Sequence, residues 1–363
     1  VGATRRARAA ARAARRVALL AGVAALACGD EGGGGSDGSE TGADATGGES
    51  PARWSELAVG LEGGALLSAA SVGDALILVG GNLSEKPGEL PGGPGLLVRY
   101  ERGALCREDD VSETVLWWID SPSPDEWYAV GERGAIVHER AGARADESVP
   151  TDAALFGVQV QGEQVFAVGG DVWGTREGEI WRRDAAGDWA PFAAGLEGVV
   201  FKVWGEWFVG DGVAWARDGD ALIPRHPPGG AKLLTVHGNA AGDVWAVGGS
   251  ASPTLLRWRG DAWEELEVDP ACASSGLNGV WVADDGVVTI AGFRGGLGRY
   301  DADGWACPEG QVTIEDLHVA RGHDGRVFAA GGDLFSPGNN HGAILHYGPA
   351  IEAVAPEDVG PCP

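Results

Sequence analysis

Basic side chains are scarce in this chain. It contains 27 lysines and arginines against 53 aspartates and glutamates. The lysines are Lys86, Lys202 and Lys232. The formal net charge of −26 gives a surface that repels phosphate backbones, which argues against nucleic acid as a partner. Long apolar runs are also missing. The run at 17–27 is about half of the roughly 20 residues that a membrane-spanning helix needs.

Several motifs that would indicate catalysis or metal binding are missing too. The sequence contains no Walker loop, no metalloprotease helix motif and no Cys-x-x-Cys pair, and its histidines are scattered. A glycosidase needs two facing carboxylates, and no spacing singles out such a pair among the 53 acids. We therefore expect no catalytic residue, no metal site and no cofactor.

The N-terminal residues have the composition of an export signal. Six arginines and no acid precede the apolar run at 17–27, and small residues lead to Cys28. The sequence "ALAC" (25–28) resembles a bacterial lipobox, although Ala25 stands where that pattern prefers leucine. The resemblance implies a signal peptide over 1–27 and a lipoprotein held to a membrane by a lipid, such as palmitate, on Cys28. An ordinary signal cleavage nearby and a disulfide-bonded cysteine are the alternatives.

The segment after Cys28 has almost nothing that could be buried. Residues 29–51 are rich in glycine, serine and acids and contain no basic side chain. Such a composition cannot offset the entropy lost on folding. We expect 28–52 to be a flexible tether that holds the following domain away from a membrane.

A short stretch ending in glycine recurs along the rest of the chain, as in "DVWAVGG" (243–249) and "RVFAAGG" (326–332). A period of roughly 40 residues without helical patterning is typical of β-propeller blades. The recurring glycines, which we expect to let the chain turn tightly after a second strand, are Gly80, Gly131, Gly169, Gly210, Gly248, Gly292 and Gly331.

Each repeat is predicted to contain four short strands separated by glycine, aspartate, asparagine and proline. In the fifth repeat the strands are predicted at 233–239, 243–249, 254–260 and 262–268. A single blade exposes apolar side chains on both faces, so blades must cover one another in a closed ring. Val244 and Ala246 should then face one neighbour, and Trp245 and Val247 the other.

The seventh repeat lacks a fourth strand, whereas residues 53–60 resemble the fourth strand of the third repeat. We predict that this N-terminal strand completes the last blade and places Trp54 beside Tyr347. The fold class is therefore all-β, a single seven-bladed β-propeller over 53–349 with a C-terminal tail at 350–363. The compressed repeat at 200–226 leaves six blades as the alternative.

The motifs "GDVWAVG" (242–248) and "GEIWRRDAAGDW" (178–189) resemble the propeller repeats of secreted bacterial lipoproteins. They are also similar to repeats of the photosystem II assembly-factor type and of the Asp-box type. The resemblance covers about 53–349 and implies the propeller fold. It does not imply one function, because propellers host binding, scaffolding and catalysis. In the Asp-box family the box is a peripheral turn, and we expect "YDADGW" (300–305) to be a turn rather than a calcium loop.

Four cysteines remain after Cys28, and in an exported chain they suggest two disulfides with three possible pairings. Propeller geometry favours Cys272 with Cys307, because these cysteines lie at the outer strands of neighbouring blades. It also favours Cys106 with Cys362, because the tail leaves the last blade beside the first. The second bond would reinforce the closure of the ring.

Tryptophans on the predicted innermost strands are the candidate ligand-binding residues. Core packing is the alternative role for Trp117, Trp118, Trp204 and Trp281. Irregular loops at 82–95, 170–178 and 332–342 follow second strands and should gather on one face, either as recognition loops or as tolerated insertions.

From these features we expect a monomeric lipoprotein of the cell envelope, outside the cytoplasm. It would be a non-catalytic binding or scaffolding module for a protein or a glycan. The alternative is a carbohydrate-active enzyme, a glycoside hydrolase or lyase, on the same fold. Arg, Glu, Asp and Tyr clustered at the channel mouth would favour that enzyme, and small or apolar residues would favour scaffolding.

Overall fold

The computed structural model describes residues 52–83, 93–172, 174–333 and 340–363. The predicted signal peptide at 1–27, Cys28 and the rest of the tether up to residue 51 lie outside these residues. The described chain is all-β: it forms seven sheets, and its helical elements are three-residue 3₁₀ turns at Glu132–Gly134, Pro228–Gly230, Phe293–Gly295 and Pro356–Asp358. Within the described residues no helix is long and apolar enough to span a membrane.

Each sheet is one blade, and in blades one to six the first four strands follow one another in space in the order of the chain. The strands of blade one are β2 (Ala65–Val72), β3 (Ala75–Gly81), β4 (Gly95–Glu101) and β5 (Ala104–Ser112). Those of blade two are β6 (Leu116–Ser123), β7 (Glu126–Gly131), β8 (Ile136–Arg140) and β9 (Ala143–Asp146). Those of blade three are β10 (Ala154–Gln161), β11 (Gln164–Gly170), β12 (Glu177–Arg183) and β13 (Trp189–Glu197).

Blades four to six repeat this arrangement. The strands of blade four are β14 (Val200–Trp204), β15 (Trp207–Gly210), β16 (Ala214–Asp218) and β17 (Ala221–Pro224). Those of blade five are β18 (Leu233–Gly238), β19 (Val244–Gly248), β20 (Thr254–Trp258) and β21 (Trp263–Glu265). Those of blade six are β22 (Leu277–Val282), β23 (Val288–Gly292), β24 (Leu297–Asp301) and β25 (Gly304–Ala306). The compressed repeat is therefore a blade of its own.

Blade seven closes the ring with a strand from the N-terminal side. Its sheet contains β26 (Asp316–His323), β27 (Arg326–Gly332), β28 (Gly342–Gly348) and β1 (Arg53–Leu61). Trp54 lies opposite Tyr347 in the β1–β28 ladder, with ring centroids 5.5 Å apart. The predicted seven-bladed ring and its closure are confirmed.

The first strand of every blade is innermost, and each contacts the first strands of both neighbours around a central channel. Apolar side chains that alternate along the strands fill the space between blades. In blade five, Val244 and Ala246 pack toward blade four, and Trp245 and Val247 pack toward blade six. This is the predicted alternation, and each large side chain buried in this way contributes about 1.5–3 kcal/mol.

The recurring glycine has a different role from the expected one. Its backbone does not need a left-handed conformation, whereas a Cβ on Gly80 would lie 1.9 Å from the Ala65 carbonyl oxygen. A Cβ on Gly248 would lie equally close to the Lys232 carbonyl oxygen. The glycine is therefore required by the close approach of the first strand, and our interpretation of it as a turn residue was wrong.

Both predicted cysteine pairs are present. Cys106 and Cys362 have Cα atoms 4.8 Å apart, and those of Cys272 and Cys307 are 4.7 Å apart. The tail forms β29 (Gly360–Pro361), which pairs in parallel with β5 and brings Gly360 opposite Cys106. The first disulfide thus joins the C-terminal end of the chain to blade one, next to the closure.

The two disulfides should differ in their contribution to stability. They close loops of 256 and 35 residues, and the chain-entropy model gives the larger loop about 2 kcal/mol more stabilisation. Cys106→Ala with Cys362→Ala should therefore lower the free energy of unfolding more than Cys272→Ala with Cys307→Ala. Urea unfolding of the two double variants measures the difference. An equal or reversed loss would show that the closure does not depend on the tail.

Candidate binding site in the central channel

Every first strand carries a β-bulge near its start, where one residue has no partner on the second strand. In β6, for example, the register shifts between Leu116 and Trp118 and leaves Trp117 extra. A bulge re-aims a side chain. The extra residues at this position, which we call the upper ring, are Leu67, Trp117, Phe156, Phe201, Leu234, Asn278 and His318.

Members of the upper ring meet across the channel axis. The Trp117 ring lies 5.3 Å from Phe156 of the next blade and 6.2 Å from His318 of blade seven, which is not adjacent. Phe156 in turn lies 5.4 Å from Phe201. The end of the channel at which the first strands begin, here called the upper end, is therefore filled mainly by apolar and aromatic side chains.

Lys202 is buried in the channel just below the upper ring. Its Nζ donates a hydrogen bond to the Phe156 carbonyl oxygen and lies 4.1 Å from the centre of the Trp118 ring. Burial lowers the pKa of Lys202 to about 7. Burial, reinforced by the charge of Lys202, also lowers the pKa of His318 to about 3, and its Nδ1 lies 2.6 Å from the Leu67 carbonyl oxygen.

A second set of side chains lies three residues further along each first strand, at the lower end of the channel. This lower ring consists of Ala70, Asp120, Gln159, Trp204, His237, Trp281 and Arg321. Three of its members accept a backbone N–H from the next blade: Asp120 from Val160 at 2.9 Å, Gln159 from Gly205 at 2.6 Å and His237 from Val282 at 3.1 Å. The ring therefore joins neighbouring blades.

The two tryptophans of the lower ring pack on glycines of the next blade. A Cβ on Gly238 would lie 2.5 Å from the Trp204 ring, and one on Gly322 would lie 2.1 Å from the Trp281 ring. Any larger residue at these positions would displace the indole. The two glycines therefore determine the positions of the two indoles at the lower end of the channel.

A cavity of about 280 Å³ opens at the lower end, lined by residues of blades four to seven and of blade one. His237 stands between the two indoles, and its pKa is lowered to about 3 by burial and by the nearby Arg321. It is therefore a neutral imidazole. Because Nδ1 accepts the Val282 N–H, its hydrogen is on Nε2. The cavity is lined by Ser71, Trp204, His237, Gly238, Asn239, Ala240, Trp281, Val282, Asp284, Arg321 and Gly322.

Arg321 is the cation of this cavity. Among the described residues it makes no hydrogen bond and no ion pair, although other arginines of this acidic chain, such as Arg257 with Asp243, are paired. Burial raises the pKa of the Asp120 carboxyl, and the Arg321 guanidinium opposes that effect. The Asp120 carboxylate accepts the Val160 N–H rather than pairing with Arg321.

The four tryptophans selected from the sequence divide into two pairs. Trp204 and Trp281 line the cavity. Trp117 is in the upper ring and donates its indole N–H to Glu132, and Trp118 packs beside Lys202 inside the channel. Sequence reasoning missed Arg321 and His237, although both occupy the same strand position as Trp204. Aligning the first strands on their bulges would have found them.

Two of the three loops predicted to gather on one face are joined at their ends. The Leu83 N–H donates to Asn340 Oδ1 at 2.6 Å, which joins the ends of the loops that follow β3 and β27. Residues 84–92, 173 and 334–339 lie outside the described residues. In the Asp-box-like turn, Asp301 accepts the Asp303 N–H at 2.9 Å. The described residues contain no group of three histidine, cysteine or acidic side chains that could hold a metal ion.

No protein-family profile matches the chain, and no curated protein matches it. Solved structures share its fold at low identity. YCF48 bound to D1 peptide is 15% identical with a TM-score of 0.54, over 82% of this chain and 97% of that one. Virginiamycin B lyase from Staphylococcus aureus is 10% identical with a TM-score of 0.61, over 82% and 99%. The WD40 propeller domain of Doa1 is 10% identical with a TM-score of 0.58, over 81% and 97%.

These similarities establish the architecture alone. The protein is a seven-bladed β-propeller. Among the solved structures that share its fold, one contains a bound peptide and another is a lyase.

The buried amine of Lys202 predicts a pH dependence of stability. Its pKa is about 7 in the folded chain and close to 10.4 when unfolded, so protonation penalises the folded state. The penalty is complete below pH 7 and disappears as the pH rises toward 10. Lys202→Met should therefore raise the free energy of unfolding by several kcal/mol at about pH 6 and by much less at about pH 9.

Urea unfolding at the two pH values measures this difference between variant and wild type. Arg259→Met is a suitable control, because Arg259 is exposed, pairs with Glu264 and stays charged at both pH values. A Lys202→Met variant that gained equal stability at both pH values would contradict the lowered pKa of Lys202.

Proposed function

We propose that this chain is an extracytoplasmic, lipid-anchored propeller that binds a protein or a glycan at the lower end of its channel and does not catalyse a reaction. One observation carries the proposal. Trp204 and Trp281 flank a single cavity that also presents the unpaired Arg321 guanidinium and the Nε2–H of His237. Apolar walls with a few convergent polar groups are the usual features of a ligand site.

The rigidity of the scaffold supports a binding role. The lower ring is held by contacts between blades, and the whole ring is closed by the β1–β28 ladder and by the Cys106–Cys362 disulfide. A site that is already ordered loses little entropy when its ligand binds. Among proteins of similar fold, YCF48 has been solved with a bound peptide, which supports a polypeptide ligand.

The catalytic alternative has less support. Virginiamycin B lyase shows that a related shape can carry an enzyme, but the lining of this cavity contains neither glutamate nor tyrosine. Its carboxylate, Asp284, is exposed at the rim. A glycosidase would need two carboxyl groups about 5–9.5 Å apart around the scissile bond. The apolar upper ring is what we expected of a scaffolding module.

The proposed location depends on the N-terminal sequence and on the disulfides. The lipobox-like "ALAC" would attach Cys28 to a membrane of the cell envelope, and the acidic tether would hold the propeller away from it. Two disulfides are typical of proteins folded outside the cytoplasm. The high negative charge disfavours nucleic acid as a partner, and we propose a monomer.

Removing either cavity indole should weaken ligand binding. Stacking residues at the centre of a site contribute about 2 kcal/mol or more, so Trp204→Ala and Trp281→Ala should each lower affinity about 30-fold. The measurement is a glycan array together with capture of envelope proteins by the full chain. Binding curves with the ligands so found then compare the variants.

Trp305→Ala is the matched control, because Trp305 lies on the outer strand of blade six and its indole N–H bonds to the Glu267 carbonyl oxygen. It should leave affinity unchanged. Unaltered binding by both cavity variants would place the ligand elsewhere. Turnover of any glycan would contradict the non-catalytic assignment.

The anchor has a separate test. Cys28→Ala removes the proposed lipidation site, so the protein should move from the membrane fraction to the soluble fraction of the envelope. Metabolic labelling with palmitate should mark the wild type alone. Membrane retention of the unlabelled variant would show that another feature of the chain holds it there.

A further inference from the structure

Most polar side-chain groups of the cavity lining that have no partner among the described residues are hydrogen-bond donors. Arg321 has no protein acceptor among the described residues, and the same holds for the indole N–H groups of Trp204 and Trp281. His237 adds its Nε2–H, since Nδ1 is occupied by the Val282 N–H. A wall of donors is complementary to a ligand made of acceptors.

The acceptors of the wall are already used within the protein. Asn239 Oδ1 accepts the N–H groups of Ala241 and Asp243 at 3.1 and 3.2 Å. The Gly322 carbonyl oxygen accepts the Ser71 hydroxyl at 3.1 Å, and Ser71 Oγ itself lies 3.1 Å from His323 Nδ1. Asp284 is the exception. It is exposed at the edge of the cavity and does not belong to the lower ring. The free groups inside the cavity therefore select an anion, and a guanidinium binds a planar carboxylate best.

The surroundings of the cavity limit how much negative charge the ligand carries. The turn between the first and second strands bears an acid in every blade, so an acidic rim surrounds the lower end of the channel. Its members are Asp74, Asp125, Glu163, Glu206, Asp243, Asp284 and Asp324. Four of them are within 4.0 Å of arginines, whereas Asp125, Glu163 and Asp284 have no basic partner among the described residues.

This rim would repel a polyanion such as an acidic polysaccharide. A polypeptide end carries one carboxylate, and the residues before it can be neutral or basic. The volume of about 280 Å³ is small for a ligand pocket and suits a chain end better than a long segment.

We infer that the cavity binds the free C-terminal carboxylate of a polypeptide. The carboxylate lies on the Arg321 guanidinium and the His237 Nε2–H, and the last side chain lies between Trp204 and Trp281. Neutral or basic residues of the ligand then cross the acidic rim. This inference rests on the proposed function, and it narrows the ligand of the same site to one chemical group.

The test uses peptides that differ only at the C-terminus. A bead-displayed library, attached by its N-termini, presents each sequence both as the free acid and as the amide. The full chain in detergent should bind the free acids at least about tenfold more tightly, because the amide loses a charge-assisted hydrogen bond. Fluorescent tetragalacturonate, an acidic oligosaccharide, is the third probe and should bind more weakly than the best peptides.

Arg321→Gln should abolish the preference for the free acid while leaving thermal unfolding unchanged. Arg259→Gln is the matched control: it removes one positive charge from a turn of blade five, where Arg259 pairs with Glu264 outside the cavity. The control should keep the preference.

Equal binding of acids and amides by the wild type would overturn the inference, and so would an Arg321→Gln variant that still prefers acids. Failure of every peptide, or tighter binding of tetragalacturonate, would overturn it as well. The proposed function would stand in each of these cases if Trp204→Ala and Trp281→Ala still weakened capture of the natural partner.

Discussion

The close contact between the end of each second strand and the start of the first strand is the constraint on which the channel depends. A glycine such as Gly80 or Gly248 allows the carbonyl of the inner strand to approach where a Cβ would stand. The inner strand bulges at this point, and the bulge sends one side chain of every blade toward the axis. Because the contact recurs around the ring, seven chain segments of different sequence place equivalent residues at equal depth.

The lower ring shows that the same side chains connect the blades and form the site. Trp204 and Trp281 cover glycines of the next blade, and His237 accepts a backbone N–H from the blade after it. Their positions are therefore determined by the assembly of the ring rather than by a loop.

The sequence allowed the architecture to be predicted because that architecture follows from repetition. The recurring glycine gave the number of blades, the missing fourth strand gave the closure, and outer-strand positions gave both disulfides. The site could be predicted only in part. Trp204 was recognisable as an inner-strand residue, but the bulge shifts the register, so its distance from Trp117 and its proximity to Arg321 could not be read from spacing. The glycine itself was misinterpreted, because its steric role depends on a backbone contact between strands.

The two ends of the channel differ in how tightly they are packed and in which polar groups are accessible. At the upper end aromatic side chains meet across the axis, and below them Lys202 is buried without a carboxylate partner among the described residues. A ligand approaching from there would have to displace packed rings and desolvate itself beside a poorly solvated amine. At the lower end the packing stops at Trp204 and Trp281, and the hydrogen-bond donors of Arg321 and His237 face open space. The channel is therefore a core closed at one end, with its accessible chemistry at the other.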